Sequence, residues 1–401
     1  MTAELQQKEV QYFDLLLKFC LKTDKILFIS CDLICSNIAQ RIADRAKCLG
    51  VSEVVIFWQD ARREAEILRS IPFAEISRSC YFDLSIWNTY AQKNAAFLIL
   101  KTEIPGAFAG VDETKIIEAA RVKRATQKLY REKQHKYEVS WTIAILPNQI
   151  WAQKLYPEDN NPYEKFYDTI FQMCMVGDNT IELWQNQLKL NSELVKKLNN
   201  LEITSLHYRG DNGTDLHVKI SPKALWMGAD KGGMVVNMPT YEVFTFPDSN
   251  HVNGIIYSSR PLYYNGVEID DFRIEFKDGK AVSACAAKGE HALRSLIACA
   301  SGSNRLGEIA LVDGFSPIAR QNKNFGITLL DENAACHFAL GNAYPTTYVD
   351  YINANEAELA QNGFNVSSIH VDFMVGYKGL DINADTNAGK VQIIKNGAFV
   401  L

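Results

Sequence analysis

The sequence lacks several features that would place it in other classes of protein. None of its apolar runs reaches the length of a membrane span, and the N-terminus from Met1 to Lys8 does not resemble a signal peptide. An excess of basic residues is also missing, because 42 Lys and Arg stand against 47 Asp and Glu, for a formal charge of −5. A nucleic-acid-binding protein would show a basic face. We therefore expect a cytoplasmic protein that binds neither membranes nor nucleic acid.

Paired cysteine motifs and phosphate-binding loops are missing as well. The nine cysteines form no CxxC pair, and the nearest two, Cys31 and Cys35, form an isolated CxxxC. A zinc knuckle is therefore not expected, and buried free thiols in a reducing compartment are. Neither GxGxxG nor GxxxxGK[ST] follows any predicted strand of the first half, so a nucleotide-binding oxidoreductase has no support beyond its strand–helix alternation.

The length of 401 residues exceeds one typical hydrophobic core, and the 47% hydrophobic and 22% charged content is ordinary for a globular protein. We predict an N-terminal domain over 1–200 and a C-terminal catalytic domain over 201–401. In the first half, strands alternate with helices, which predicts an α/β domain with a mainly parallel sheet. The predicted strands are Lys25–Ser30, Glu53–Trp58, Ala96–Leu100 and Trp141–Leu146, and the predicted helices are Cys35–Leu49, Asp60–Arg69 and Thr114–Glu132.

After Leu201 the pattern changes to short alternating strands joined by tight turns. Gly210–Gly213 and Lys277–Lys280 have the composition of hairpin turns. This half is predicted to be an α+β domain with a mixed or antiparallel sheet. Its predicted strands are Ile203–Tyr208, Asp215–Ile220, Gly254–Ser258 and Phe272–Phe276, with a helix over His291–Ala300.

The segment Ile369–Val375 is β-branched and aromatic, which predicts a strand. Residues two apart on a strand share a face, so His370 and Asp372 point the same way. An imidazole and a carboxylate among apolar residues suit a divalent metal such as zinc. A His–Asp hydrogen-bonded pair in the core explains the same pattern equally well.

A second cluster of polar residues lies in the segment Thr328–Tyr344. In one unbroken helix Glu332 and His337 would be about 140° apart, which is poor for sharing an ion. Both can serve only if Asp331–Asn333 forms a turn that caps a helix containing His337. Taken alone, a capping acid and a packed histidine account for this segment.

Two further acids interrupt apolar runs. Glu242 lies between Pro239 and Pro247, and Glu308 follows a glycine in Leu306–Val312. An acid in a strand-like apolar run lies near an edge or meets a cation. A salt bridge to an arginine such as Arg305 is the simpler explanation for either one.

Four blocks of the sequence together resemble the signature blocks of the thermophilic aminopeptidase family, the aminopeptidase T and S type of leucyl metallopeptidases with two metal ions. The blocks are NMPTYEVFTFP, RLGEIALVDGFSPI, TLLDENAACHFALGNAYP and NVSSIHVDFMVG, in that family's order and spacing. The similarity covers nearly the whole chain and is weakest over the first hundred residues. Its departures are conservative, such as Val375 and Cys336.

The resemblance implies a role for particular positions. It assigns the metal ligands to Glu242, Glu308, Glu332, His337, His370 and Asp372, with Glu308 as the bridge between two divalent ions, and it assigns a catalytic role to Tyr344. Four carboxylates and two imidazoles can hold two ions about 3.5–4 Å apart. Such ions make hydroxide available near neutral pH, and a phenol can donate a hydrogen bond to the developing oxyanion. Which carboxylate moves the proton of the water stays open.

The function that the resemblance implies is a metal-dependent aminopeptidase that removes N-terminal residues from short peptides through a metal-bridging hydroxide. Family members form homodimers that enclose the active site. The native ion stays open among Zn²⁺, Co²⁺, Mn²⁺ and Mg²⁺. The alternative is a catalytically silent member of the same fold that binds peptides or metal, against which the intact ligand set argues.

One histidine outside the blocks stands beside an acid. Asp215 and His217 are two residues apart on a predicted strand, so they share a face as His370 and Asp372 do. The pair could form a secondary site. Because it has no counterpart among the family's ligands, a structural role is expected.

Overall fold

The computed structural model describes residues 2–22, 25–79, 81–264 and 266–401. The chain forms two compact units. The first comprises the described residues up to Trp184 together with Asp230–Pro239, and the second comprises Gln185–Ala229 and Thr240–Leu401. The division into independent domains at residue 200 stays a prediction.

The helices have the following bounds in chain order: α1 (Ala3–Cys20), α2 (Ser36–Cys48), α3 (Ala61–Ser70), α4 (Ile76–Ser79), α5 (Tyr81–Gln92), α6 (Glu113–Thr126), α7 (Lys128–His135), α8 (Gln149–Leu155), α9 (Pro162–Met173), α10 (Thr180–Asn200), α11 (Glu290–Ala298), α12 (Thr328–Asp331) and α13 (Glu356–Gln361). Within the described part of the chain, none of them is long and apolar enough to cross a membrane.

The strands have the following bounds in chain order: β1 (Ile26–Asp32), β2 (Glu53–Gln59), β3 (Ala96–Lys101), β4 (Trp141–Ile145), β5 (Ile203–Gly210), β6 (Asp215–Ile220), β7 (Met227–Gly228), β8 (Asp230–Lys231), β9 (Met234–Val235), β10 (Asn237–Met238), β11 (Glu242–Thr245), β12 (Pro247–Tyr257), β13 (Leu262–Tyr264), β14 (Val267–Lys277), β15 (Lys280–Lys288), β16 (Leu306–Val312), β17 (His337–Gly341), β18 (His370–Met374), β19 (Leu380–Thr386), β20 (Gly389–Lys395) and β21 (Ala398–Phe399).

The first unit contains the predicted parallel sheet, with strand order β10-β4-β3-β1-β2. Its interior strand β1, which lies between β3 and β2, is buried almost throughout, as expected for a strand covered on both faces. Phe28 on β1 contacts the rings of Trp87 and Phe97 at 5.0 and 5.2 Å between centroids. The α/β prediction for this half is confirmed.

The long helix predicted over Thr114–Glu132 is instead two helices, α6 and α7, which meet at Gln127. The side chain of Asn88 accounts for the break. Its Nδ2 donates to the carbonyl of Thr126 at 2.7 Å, and its Oδ1 accepts from the amide of Tyr130 at 3.1 Å. An unbroken helix would pair that same carbonyl and amide with each other, so Asn88 replaces one bond of the helical ladder.

The second unit consists mainly of two antiparallel sheets, as predicted. One has the order β13-β14-β12-β6-β5-β19-β20-β21, with β15 paired to β14, and the other has the order β18-β17-β16-β11-β7. Their inner faces supply one hydrophobic core. Tyr208 on β5 meets Phe338 on β17 there, with 4.8 Å between ring centroids. The outer face of the five-stranded sheet is the one that concerns function.

The described cysteines are free thiols. Cys20, Cys31, Cys35, Cys174 and Cys336 are buried, as predicted. The prediction of burial is wrong for the two exposed cysteines, Cys48 and Cys299. Cys80 lies outside the described residues.

Candidate metal centre

Strand alternation divides the five-stranded sheet into an apolar face and a polar face. Across the ladder Glu308 lies opposite Ala339, and Ala339 lies opposite Asp372. Residues that lie opposite each other share a face, which also carries the rest of the polar set. Glu242 on β11, His337 on β17 and His370 on β18 occupy this face by the same register. The intervening positions, such as Ile309, Phe338 and Phe373, are buried in the core.

A β-bulge at Gly307 sets the direction of Glu308. Leu306 pairs with Leu340 and Glu308 pairs with Ala339, so Gly307 is the extra residue on its strand. A Cβ at this position would lie 2.2 Å from the carbonyl oxygen of Gly341, so a larger side chain would force the strands apart. The glycine therefore places the acid on the polar face.

Glu332 lies outside the sheet, in a 3₁₀ turn over Glu332–Ala334 that follows α12. The turn is held by Asp331, whose carboxylate accepts from the amides of Phe325 and Gly326, both at 2.8 Å. Asn333 accepts from the amide of Tyr241 at 2.7 Å, which ties the turn to the residue before Glu242.

The prediction that His337 lies inside a helix is wrong. Ala335 adopts an extended conformation that ends the 3₁₀ turn, and His337 begins β17. The following apolar residues bond to strands on both sides, which outweighs the helical preference of an alanine-rich segment. Glu332 and His337 consequently belong to different elements, and the helical angle between them no longer applies.

Two groups of potential metal ligands share one residue. Glu242, Glu308 and His337 form the first group, and Glu308, His370 and Asp372 form the second. Within each group the potential ligand atoms lie within 4.8 Å of one another. Glu332 belongs to neither group, but its charge interacts with that of Glu242. The structure thus gathers all six predicted ligands, with Glu308 common to both groups.

The orientation of the two histidines suits metal binding. His370 Nδ1 lies 2.7 Å from the carbonyl oxygen of Asn342, and His337 Nδ1 lies 3.1 Å from that of Ala335. A carbonyl oxygen only accepts, so each Nδ1 carries the hydrogen. In the neutral imidazoles the lone pair is then on Nε2, the atom that a metal would use.

These Nε2 atoms face carboxylate oxygens. His337 Nε2 lies 3.3 Å from Glu242 Oε2, and His370 Nε2 lies 3.1 Å from Glu308 Oε2 and 3.2 Å from Asp372 Oδ1. Glu308 Oε2 and Asp372 Oδ1 are nevertheless buried without a well-formed hydrogen bond. Lone pairs that face each other in a buried site require a cation between them, either a proton or a metal ion.

The titration behaviour of the cluster reflects this demand. Burial lowers the pKa of His337, but the adjacent Glu242 carboxylate outweighs it and raises that pKa to about 10. Burial likewise opposes the charge on His370, whose pKa is raised well above its usual value by Asp372 and Glu308. Burial and the neighbouring Glu242 raise the pKa of Glu332. Without metal the site therefore holds protons that ordinary side chains would release.

Tyr344 lies at the border of the cluster. Its ring centroid is 4.5 Å from that of His370 and 6.0 Å from that of Phe244, and the residue is 41% exposed. Burial of the hydroxyl and the charge of Glu308 raise its pKa well above the usual value. The phenol stays protonated and can donate a hydrogen bond to a substrate at the centre.

The sequence did not predict how several residues shape the site. Asp331 and Asn333 hold the turn of Glu332, and Gly307 supplies the bulge. Ala310 and Ala339 occupy the polar face between the acids and histidines. The glycine before Glu308 was the available signal for the bulge, whereas small residues in a strand carry no signal of their own.

Comparisons with known proteins find matches over most of the chain. A model of the family described as thermophilic metalloprotease (M29) matches residues 5–399. Aminopeptidase AmpS of Bacillus subtilis (strain 168) is 33% identical over 357 residues, which are 87% of each chain. Aminopeptidase 2 of Geobacillus stearothermophilus is 32% identical over 391 residues, 94% of this chain and 93% of that one. The solved structure of wild-type AmpT from Thermus thermophilus has a TM-score of 0.89 and 28% identity, over 98% of this chain and 100% of that chain.

Proposed function

Because the chain belongs to the thermophilic metalloprotease (M29) family and is a metal-dependent aminopeptidase, we propose that it removes N-terminal residues from short peptides with two divalent ions held by the cluster around Glu308. The observation that carries this proposal is the position of Glu308 in both ligand groups, with a buried oxygen that lacks a hydrogen bond. A carboxylate common to two groups is the arrangement expected of a ligand that spans two ions.

The donor set fits two ions in charge as well as in position. Four carboxylates, those of Glu242, Glu308, Glu332 and Asp372, would be balanced by two divalent cations, with the neutral histidines adding no charge. The Nδ1–H bonds to backbone carbonyls hold both imidazoles in the tautomer that binds metal. When bound, two divalent ions would lower the pKa of a coordinated water, so that hydroxide would be available near neutral pH, and would polarise the scissile carbonyl.

The side chains have separate tasks in this proposal. Glu308 spans the two ligand groups, while His337 with Glu242 and His370 with Asp372 complete one group each. Tyr344 donates a hydrogen bond from its phenol to the oxyanion that develops on the scissile carbonyl. Its raised pKa keeps the phenol protonated for this role. The free α-amine of a peptide could ligate one of the bound ions, which would explain selection of the N-terminal residue.

The test measures metal content together with hydrolysis of leucine p-nitroanilide and of short peptides, before and after chelation. We expect up to two ions per chain, loss of activity on chelation and recovery with Zn²⁺, Co²⁺, Mn²⁺ or Mg²⁺. The ion that restores most activity at cellular concentration would be assigned as native. Bound metal without cleavage of any short peptide would instead support a catalytically silent binding protein.

The proposal also includes a cytoplasmic homodimer, for which the resemblance to the family is the only support. Light scattering on the purified protein would give twice the mass of the chain if the dimer forms. A monomer with full activity would contradict the proposed dimer and its enclosed active site, but not the proposed chemistry.

A further inference from the structure

A further cluster of potential metal-ligating side chains lies on the outer face of the nine-stranded sheet that contains β5 and β6. His207 on β5 is directly opposite His217 on β6, and Asp215 is two residues before His217 on the same face. The alternate residues Leu206, Tyr208 and Leu216 are buried in the core. The cluster is therefore separated from the metal centre by the core of the second unit.

The three side chains converge in space. His207 Nε2 lies 2.6 Å from Asp215 Oδ1, and His217 Nε2 lies 3.9 Å from the same oxygen. The imidazoles stack with 3.7 Å between centroids and 19° between planes. Potential ligand atoms of all three residues lie within 4.8 Å of one another. The sequence indicated only the Asp215–His217 pair, because His207 joins them through a strand pairing that the local pattern does not predict.

A simple ion pair does not account for the whole cluster. Asp215 is satisfied by His207, whose hydrogen bond lowers the pKa of the carboxyl group. The side chain of His217 makes no hydrogen bond within the described part of the chain, and its Nε2 lies 3.9 Å from the carboxylate. An imidazole held only by stacking on a second imidazole keeps a ring nitrogen available to a cation.

We propose that His207, Asp215 and His217 form an additional binding site for one borderline divalent cation such as Zn²⁺ or Cu²⁺, separate from the catalytic centre. Two imidazole nitrogens and one carboxylate oxygen favour these ions over Mg²⁺ or Ca²⁺, which prefer oxygen ligands. The backbone positions are fixed by the β5–β6 ladder. Water completes the coordination, because the side chains of Asp215 and His217 are 64% and 60% exposed.

Arg209 competes with the proposed ion. Its Nε lies 3.3 Å from His207 Nε2, and Arg209 lies opposite Asp215 across the ladder. Binding at His207 Nε2 would require that nitrogen to give up the hydrogen that it donates to Asp215, and the bound cation would be repelled by the guanidinium group. Arg209→Gln removes the positive charge and is therefore expected to tighten metal binding.

The test uses the full chain with its catalytic centre loaded with Zn²⁺, and Cu²⁺ as a paramagnetic probe. We expect one additional Cu²⁺ per chain, with an electron paramagnetic resonance spectrum that shows two nitrogen ligands. His217→Ala should weaken this binding by at least roughly tenfold, since even second-shell changes reach that size. Hydrolysis of leucine p-nitroanilide should be unchanged. Asp215→Asn provides a second variant with the same expectation of weakened binding.

A matched control is available on the same sheet. His251 is exposed and pairs with Asp248, with 2.7 Å between Nδ1 and Oδ2. Among the described residues, no group of three potential metal ligands includes this pair. His251→Ala should leave the additional Cu²⁺ site intact. The proposal is overturned if His217→Ala binds Cu²⁺ as the wild type does, or if His251→Ala loses it equally.

The catalytic and additional sites are distinguished by one more variant. Glu308→Gln should lose ions from the catalytic centre and keep the Cu²⁺ site at His217. Loss of that site in Glu308→Gln would mean that the copper had occupied the catalytic centre, and unchanged or weaker binding in Arg209→Gln would contradict a ligand role for His207 Nε2.

Discussion

Buried acids in the two units differ in whether their oxygens are satisfied. In the first unit, Glu9 is 1% exposed, and both carboxylate oxygens accept hydrogen bonds from Arg41. Tyr167 adds a third hydrogen bond at 2.7 Å. In the second unit, Glu308 and Asp372 are also buried, yet each retains an oxygen without a hydrogen bond. We call a carboxylate whose oxygens all accept hydrogen bonds a closed set, which indicates a structural acid. We call a buried carboxylate with an unpaired oxygen an open set, which is the arrangement expected of a metal ligand.

The largest expected effect distinguishes these two acids by the same substitution. Glu308→Gln should abolish peptide cleavage and lower metal content, because the amide cannot supply the shared negative charge. Glu9→Gln is the matched control and should keep both activity and metal. Metal analysis and leucine p-nitroanilide hydrolysis check the pair. Retained activity in Glu308→Gln would remove its assignment as the bridging ligand.

Tyr344→Phe tests the neighbouring phenol. Turnover should fall roughly a hundredfold with metal content unchanged, the range for loss of an oxyanion donor. Tyr348→Phe is a suitable control, since Tyr348 packs against Phe246 in a separate apolar cluster. If the ions leave together with the hydroxyl, Tyr344 has a structural role instead.

The hydrogen bonds from Arg41 to Glu9 in the first unit should contribute to the stability of the protein. Arg41→Met leaves Glu9 buried with only Tyr167 as a partner, and should lower the free energy of unfolding by about 2 kcal/mol, somewhat less than the loss of a fully buried partner. Arg41 is itself partly exposed, which limits the effect. Urea denaturation measures the change, and cleavage at low temperature should stay at the wild-type rate. An unchanged denaturation midpoint would show that Glu9 does not depend on Arg41.

The open set should show a pH dependence only after chelation. His337 has a folded-state pKa of about 10, above the ordinary value of 6.5, so its contribution to stability is present below pH 6.5 and lost as pH rises through 10. Melting temperature of the metal-free protein should fall over this interval. With metal bound, the ions replace the protons and the fall should disappear. A metal-free protein whose melting temperature rises over this interval would contradict the protonated cluster.

The sequence predicted these two regions to different degrees. Local alternation was enough to place His370 and Asp372 on one strand face, and the resemblance of four blocks to one family predicted the ligand set. The position of His337 could not be found locally, because pairing with β16 and β18 decides that it begins a strand. The break between α6 and α7 was equally hidden, since it depends on Asn88 from a distant helix. Contacts between residues distant in the sequence therefore determined these two features, which the local sequence pattern could not predict.

The small residues on the polar face of the five-stranded sheet have a consequence for what the centre can accommodate. Ala310 and Ala339 extend no further than a methyl group into the space that the acids and histidines surround. The strand ladder fixes the backbone at these two positions. The space above the sheet that an ion could occupy therefore depends on how small their side chains are. Replacing Ala339 by valine would add two methyl carbons to that floor while leaving every ligand in place. We therefore expect uncharged residues, and not only the ligands, to influence which sizes of ion the centre accepts.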